Sequence, residues 1–371
     1  MIKPLQITAV WQKILLILLL LLCIGVLAVL AAPNLPPARD FDQTFYPASR
    51  YALAGENPYT ADYIETDQGA PPDFFSPAWL LLILLPFGLF PLAIARALWT
   101  IFLVGVTLVG IGLMRPWGFK GLRPFALIAL PWSLIGILFG QVTPLVFLGT
   151  IISIIELERQ EKSRQNVAKL FIGFLLIGVK PQLGLFVVIP MLLWMVWRRD
   201  KRLIPLTILG LIVLALALIV APPSLLSQAI EGQRSIAPWW KSTLERELLL
   251  WGWPLWIAYV VRLVVIAVMG YWAWQADSLS PVWWSAWLAA VLIITPYTRA
   301  YDGVLLLPLL GQMIGLRRWW QTAVFLLMMI LYIQLPIGEL GSVIAPLAAW
   351  ILFVPWRTFF LSSQVTSTSS P

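Results

Sequence analysis

The sequence predicts an all-α, polytopic integral membrane protein of about 12 transmembrane helices. Three observations predict it. The chain of 371 residues is 60% hydrophobic and only 11% charged, with a mean hydropathy of +0.88. Apolar runs long enough for membrane helices recur from end to end, far beyond the needs of a soluble core. Sixteen of the 25 basic residues fall in the short breaks between alternate pairs of those runs, as the positive-inside rule requires.

The first apolar run, Ile14 to Ala32, forms a helix about 28 Å long at 1.5 Å per residue, enough for a bilayer core. It is long for a signal-peptide core and more spans follow, so it is read as uncleaved. The further spans are expected at roughly 91–113, 124–139, 143–156, 168–179, 183–197, 203–221, 251–275, 281–297, 303–316, 319–335 and 341–357. The stretch 77–90 is broken by Pro86, Gly88 and Pro91, and is read as a re-entrant or interfacial helix. A crossing there would carry Arg115, Lys120 and Arg123 to the outer side. Basic residues at Lys3, Lys13, 115–123, 159–169, 198–202, Arg317, Arg318 and Arg357 place both termini in the cytoplasm. Residues 1–357 then form one membrane domain, followed by a polar tail, 358–371. Residues 33–76 and 222–250 are the long outer loops. The second carries Trp239 and Trp240 in an amphipathic segment suited to the headgroup layer.

Composition excludes several chemistries. His is absent and Cys23 is the single cysteine, so a disulfide within the chain and a Cys- or His-based metal site are ruled out. The net charge of +8 is spread over topology-setting loops, which argues against nucleic acid as a partner. Catalysis falls to carboxylates, Lys, Arg, Tyr or backbone groups.

Those groups gather on the predicted outer side. The first outer loop carries Asp40, Asp42, Glu56, Asp62, Glu65, Asp67 and Asp73. The last four do not have the spacing of a calcium-binding loop and read as a solvated acidic stretch. Gly140-Gln141, Lys180-Pro181-Gln182 and Arg299-Ala300-Tyr301-Asp302 each interrupt an apolar hairpin at the same side. Charges at such boundaries are expensive and usually pair or serve function. Each has a plain structural reading too: a turn at Gln141, a snorkelling Lys180, an i, i+3 ion pair between Arg299 and Asp302. Together they suit transfer from a lipid-linked phosphosugar. A carboxylate activates a hydroxyl, and Lys or Arg neutralises the phosphate leaving group.

The run Asp40-Phe41-x-x-Thr44-Phe45-x-Pro47-Ala48, then Leu53-Ala54-Gly55-Glu56-Asn57-Pro58-Tyr59, resembles the N-terminal signature of glycosyltransferase family 87. Phe74-Phe75-Ser76-Pro77-Ala78-Trp79, then Gly140-Gln141, Lys180-Pro181-Gln182 and Tyr301-Asp302, follow in the family's order over residues 35–310. The resemblance implies a GT-C fold and a polyprenyl-phosphate-sugar donor, with mannose the sugar best known in the family. It implies a lipid or glycan acceptor, inversion at the anomeric carbon and no required metal or other cofactor. It places an outer-face active site in the plasma (inner) membrane, with an aspartate of the first outer loop as base. Asp40, which matches the Asp-aromatic start and the spacing to Gly55, is the first candidate for that role, and Asp42, four residues before Tyr46, is the alternative. Lys180, Gln182, Arg299, Tyr301, Asp302, Gln141 and Tyr59 are the expected substrate-binding set. Ser76-Pro77-Ala78 stands where the family commonly has a double proline, and the absent His departs from relatives that use one. A membrane transporter or lipid flippase is the rival reading, favoured by Arg96 and Arg262 within apolar stretches. A non-catalytic scaffold is a third.

Overall fold

The computed structural model describes residues 22–59, 76–114, 130–159, 164–220, 243–275 and 279–315 except Tyr297, and nine single positions: 19, 74, 117, 125, 127, 128, 323, 350 and 351. Every described element is helical. Thirteen α-helices follow in order: α1 Leu22–Asn34, α2 Tyr46–Leu53, α3 Ala78–Gly88, α4 Leu92–Leu113, α5 Pro131–Leu138, α6 Thr143–Glu158, α7 Arg164–Gly178, α8 Pro181–Trp197, α9 Leu203–Val220, α10 Leu244–Leu250, α11 Trp256–Gln275, α12 Pro281–Ile294 and α13 Leu307–Gly315. Two of them, α4 and α11, are long and apolar enough to cross a membrane. The expected spans 319–335 and 341–357, the acidic residues Asp62, Glu65, Asp67 and Asp73, the Trp239–Trp240 segment and the tail lie outside the described residues, apart from isolated positions.

Proline and glycine set the boundaries. Pro131, Pro181 and Pro281 open α5, α8 and α12 at a first-turn position where no backbone donor is lost. Within the expected span 124–139 the described α-helix is α5, eight residues and only about 12 Å long. It ends where Gly140 takes φ +72°. The expected span 251–275 begins five residues late, because Gly252 sits at φ +68° and Pro254 precedes the helix start at Trp256. The expected span 303–316 divides into a 3₁₀ segment, Ala300–Leu306, and α13.

Helices α6 and α7 run antiparallel, with Gly149 against Gly173 to Ile177 and Ser153 against Gly173, and the described helix ends fall into two groups. At one end lie the turns α5–α6 and α7–α8 and the segment after α12. Helix α3 returns to that end at both its termini. Trp79 donates from its indole to the Leu175 carbonyl (3.0 Å) near the C-terminus of α7. At the other terminus Arg50 of α2 donates to the Gly88 carbonyl (3.1 Å), and Tyr46 donates to Phe90. Eleven residues span only about 16 Å, and both termini of α3 contact the same end of the bundle. The opposite end carries the turn α8–α9 and the end of α6. Small residues bring α6 and α7 together: a Cβ at Gly149 would lie 2.6 Å from the Gly173 carbonyl oxygen.

One core runs through the bundle. Its densest aromatic part is at the first end. Phe41 stacks on Trp99 (5.4 Å, 16°), and Phe87 meets the same indole edge-on at 5.0 Å. Such rings contribute geometry as well as buried area.

Candidate active site at one end of the bundle

The chain leaves α1 at Asn34 and re-enters helix as a π-turn, Phe41–Phe45, continuous with α2. π-Turns are rare and concentrate at functional sites. Here the turn sends Phe41 and Phe45 into the core and leaves Asp40 and Asp42 at the end of the bundle, each half-buried.

The two aspartates have different surroundings. Asp42 is committed to structure. It pairs with Arg96 of α4 at 2.7 Å, takes a second bond from Arg96 Nε at 3.0 Å, and accepts the Ala38 backbone N–H at 3.1 Å. Asp40 accepts a neutral bond: the Gln141 side-chain amide donates to its carboxylate. Its backbone N–H donates to the Phe139 carbonyl (3.1 Å). Burial pushes the Asp40 carboxyl above its ordinary value of 3.8. The Gln141 bond and the charges of Arg299, Lys180 and Arg39 oppose that shift without cancelling it.

Gly140-Gln141 is more than a turn. The left-handed φ at Gly140 closes α5. A Cβ there would sit 2.5 Å from Phe41 Cβ, so only glycine lets the π-turn approach. Trp99 then donates to the Gly140 carbonyl at 2.9 Å. The result aims Gln141 at Asp40.

Lys180 does not snorkel to the surface. It is 5% exposed and its ammonium pairs with Asp302, which is fully buried. Thr143 donates to the same Asp302 oxygen at 2.9 Å. The Lys180 ammonium also lies 3.4 Å from the Thr143 hydroxyl and 4.5 Å over the Tyr301 ring. Asp302 has a remote charge partner beyond the local contact with Arg299 that its i, i+3 spacing suggests. The carboxylate takes its charge partner from Lys180, 122 residues away, and accepts the backbone N–H of Arg299 at 2.9 Å. A rigid pair with three ordered donors fixes the 3₁₀ segment, and with it Arg299. The Arg299 side chain is half-buried and acts on the Asp40 carboxyl.

Seven of the nine residues expected from sequence thus meet at one end: Asp40, Asp42, Gln141, Lys180, Arg299, Tyr301 and Asp302. Gln182 lies half-buried in the first turn of α8, beside Lys180 in the chain. Tyr59 is occupied otherwise. Its hydroxyl donates to the Ser76 carbonyl at 2.9 Å and its ring packs on Phe74 at 5.3 Å, which joins the two ends of the acidic stretch. Sequence reasoning missed Thr143 and the role of Arg96. A lone arginine in the first turns of an apolar helix, four residues after Leu92, was the available signal for the second. Among the described residues no group of three acidic, Cys or His side chains is placed to hold a metal ion.

No family model, curated protein or solved structure matches this chain.

Proposed function

We propose that the chain is a polytopic membrane glycosyltransferase, with Asp40 as general base toward the acceptor hydroxyl and a polyprenyl-phosphate-linked sugar as donor. The convergence of Asp40, Gln141 and Arg299 on one end of an apolar bundle carries this reading. A carboxylate whose affinity for protons is raised by burial is a better base near neutral pH than a solvated one. The Gln141 amide orients it without neutralising it. Arg299 is set where a cation stabilises charge growing on a phosphate leaving oxygen. Lys180 acts through Asp302 as the pin for that cation, since its own charge is already paired.

The membrane placement is supported by the faces of α9 and α11. Ile204, Ile208, Leu211, Leu263 and Val264 are at least half exposed, and helices apolar all round belong in lipid. The basic turn Arg198–Lys201 sits at the end opposite the site, which matches a cytoplasmic end and an outer active site. The transporter reading rested on Arg96 and Arg262. Both are neutralised near the site end, Arg96 by Asp42 and Arg262 by Glu245 of α10, so neither lines a charged path through the bundle.

Single-turnover transfer from a polyprenyl-phosphate sugar tests the reading. Asp40→Asn should lower the rate by roughly a hundredfold or more with the fold retained. Arg299→Gln should lower the rate more than the donor affinity. A wild-type rate in Asp40→Asn removes the carboxylate base from the mechanism.

A further inference from the structure

At the end opposite the site, α8 stops at Trp197 and α9 starts at Leu203. The turn between them has the hydrogen bonds of a helix C-cap. The Arg198 N–H donates to the Trp194 carbonyl (2.9 Å), Arg199 to Val196 (3.0 Å) and Asp200 to Met195 (2.9 Å). Such caps place a left-handed residue just past the helix, and that residue is normally glycine. Here it is Arg199, at φ +49°, the one non-glycine residue with positive φ in the described chain. The chain keeps a strained arginine where glycine fits without strain.

The neighbouring charges show what this arginine adds. Asp200 is buried and its carboxylate is consumed by Arg202, through three bonds of 2.7 to 3.1 Å. Arg202 also donates to the Glu156 carbonyl at 2.6 Å, which ties the turn to the end of α6. The acid and one base of the sequence Arg-Arg-Asp-Lys-Arg are therefore turned inward as a lock. Arg198, Arg199 and Lys201 are all left exposed. The Arg198 guanidinium is held 4.6 Å over the Trp194 ring, and Trp197 beside it is 58% exposed. With Asp200 turned inward, the described turn presents three exposed cations, next to an exposed indole suited to the headgroup layer.

The geometry points to a binding surface for anionic phospholipid headgroups, formed by Arg198, Arg199 and Lys201 with Trp197 as the apolar contact. The inference rests on the membrane placement of the chain and not on its catalytic reading. Cations beside an exposed Trp at a helix end fit a phosphate at the lipid surface better than a free anion, because the indole adds apolar contact that a soluble anion cannot use.

The test measures the melting temperature of the full chain in nanodiscs by tryptophan fluorescence. Discs of phosphatidylcholine are compared with discs containing phosphatidylglycerol. The wild type should melt higher with phosphatidylglycerol. Arg198→Gln with Lys201→Gln should lose most of that increment. Arg199→Gly should show two opposite effects: a higher melting temperature in pure phosphatidylcholine, from relief of the left-handed strain, and a smaller phosphatidylglycerol increment. A phosphatidylglycerol increment unchanged in both variants would overturn the proposal. Stabilisation of equal size by inorganic phosphate in phosphatidylcholine discs would overturn the lipid as ligand. An unaltered rate of sugar transfer in Arg199→Gly leaves the inference standing, and loss of transfer activity in every protein tested overturns only the catalytic reading.

Discussion

The two ends of this bundle each hold a buried ion pair, and the pairs are built in opposite ways. At the end opposite the candidate site, Asp200 and Arg202 are two residues apart and close a turn on themselves. At the other end, Lys180 and Asp302 are separated by 122 residues, Thr143 and Asp302 by 159, and Gln141 and Asp40 by 101. A local pair can form as soon as its turn forms. A remote pair exists only when four helices have docked. The first is a lock on one connection. The second makes the positions of the polar groups depend on the whole fold, which is what a preorganised site requires.

Breaking the remote pair should have the largest effect. Lys180→Met leaves the Asp302 carboxylate buried without a counter-charge, and removing one partner of such a pair typically costs about 3–5 kcal/mol. Thermal melting in a fixed detergent measures it. The double variant Lys180→Met with Asp302→Leu should recover much of the stability, since no isolated charge remains. It should not recover transfer activity, because the N–H of Arg299 loses its acceptor. Recovery of both would reduce the pair to a packing device.

The local pair sharpens the contrast. Asp200→Asn should lower stability by about 1–3 kcal/mol, the usual range for a charged hydrogen bond lost with its partner left behind. The rate per folded molecule should stay at the wild-type value, because nothing at that end touches the site. Arg96→Lys gives an intermediate case. Lysine keeps the charge toward Asp42 but loses the fork that binds both oxygens. The rate should fall several-fold with little change in the acid limb of the pH profile. Arg96→Gln, which frees the Asp42 carboxylate, should reduce it further. Equal rates in both variants would separate the π-turn from the positioning of Asp40.

The contrast also explains what was legible in the sequence. Helix class and most helix starts were legible, because prolines and apolar lengths act locally: α4 was expected at 91–113 and runs Leu92–Leu113. The run 124–139 was apolar throughout, yet the helix within it is Pro131–Leu138. Hydropathy alone did not show that Pro131 starts a helix only eight residues long. The gathering of Asp40, Gln141, Lys180 and Asp302 at one end was legible from parity, since in the sequence each of them follows an odd number of expected helices. Which of them pair was not. Asp302 had a plausible partner three residues away in Arg299, and only docking of α8 shows that Lys180 takes the charge. The motif favoured Asp40 over Asp42, but the physical difference between them was hidden for the same reason: it lies in Arg96 and Gln141, both remote.

The smallest effect distinguishes a working carboxylate from a structural one by its sign. The Asp40 pKa is raised above the ordinary 3.8, chiefly by burial. Its ionised form is therefore less welcome in the folded protein than in the unfolded chain. Whatever stability the protonated carboxyl contributes is fully present below pH 3.8 and is lost as pH rises through the raised folded value. Asp40→Asn keeps a neutral side chain at every pH and can still accept from Gln141. It should therefore melt slightly higher than the wild type at pH 7, and the two melting curves should converge as the pH falls below the ordinary carboxylate value. Asp42→Asn should do the opposite at neutral pH and melt lower, because Arg96 loses its counter-charge. An active-site residue whose loss stabilises the fold is the expected sign of strain kept for function. If Asp40→Asn melts lower than the wild type at pH 7, the carboxylate is there to hold the π-turn, and the proton acceptor must be sought elsewhere at that end of the bundle.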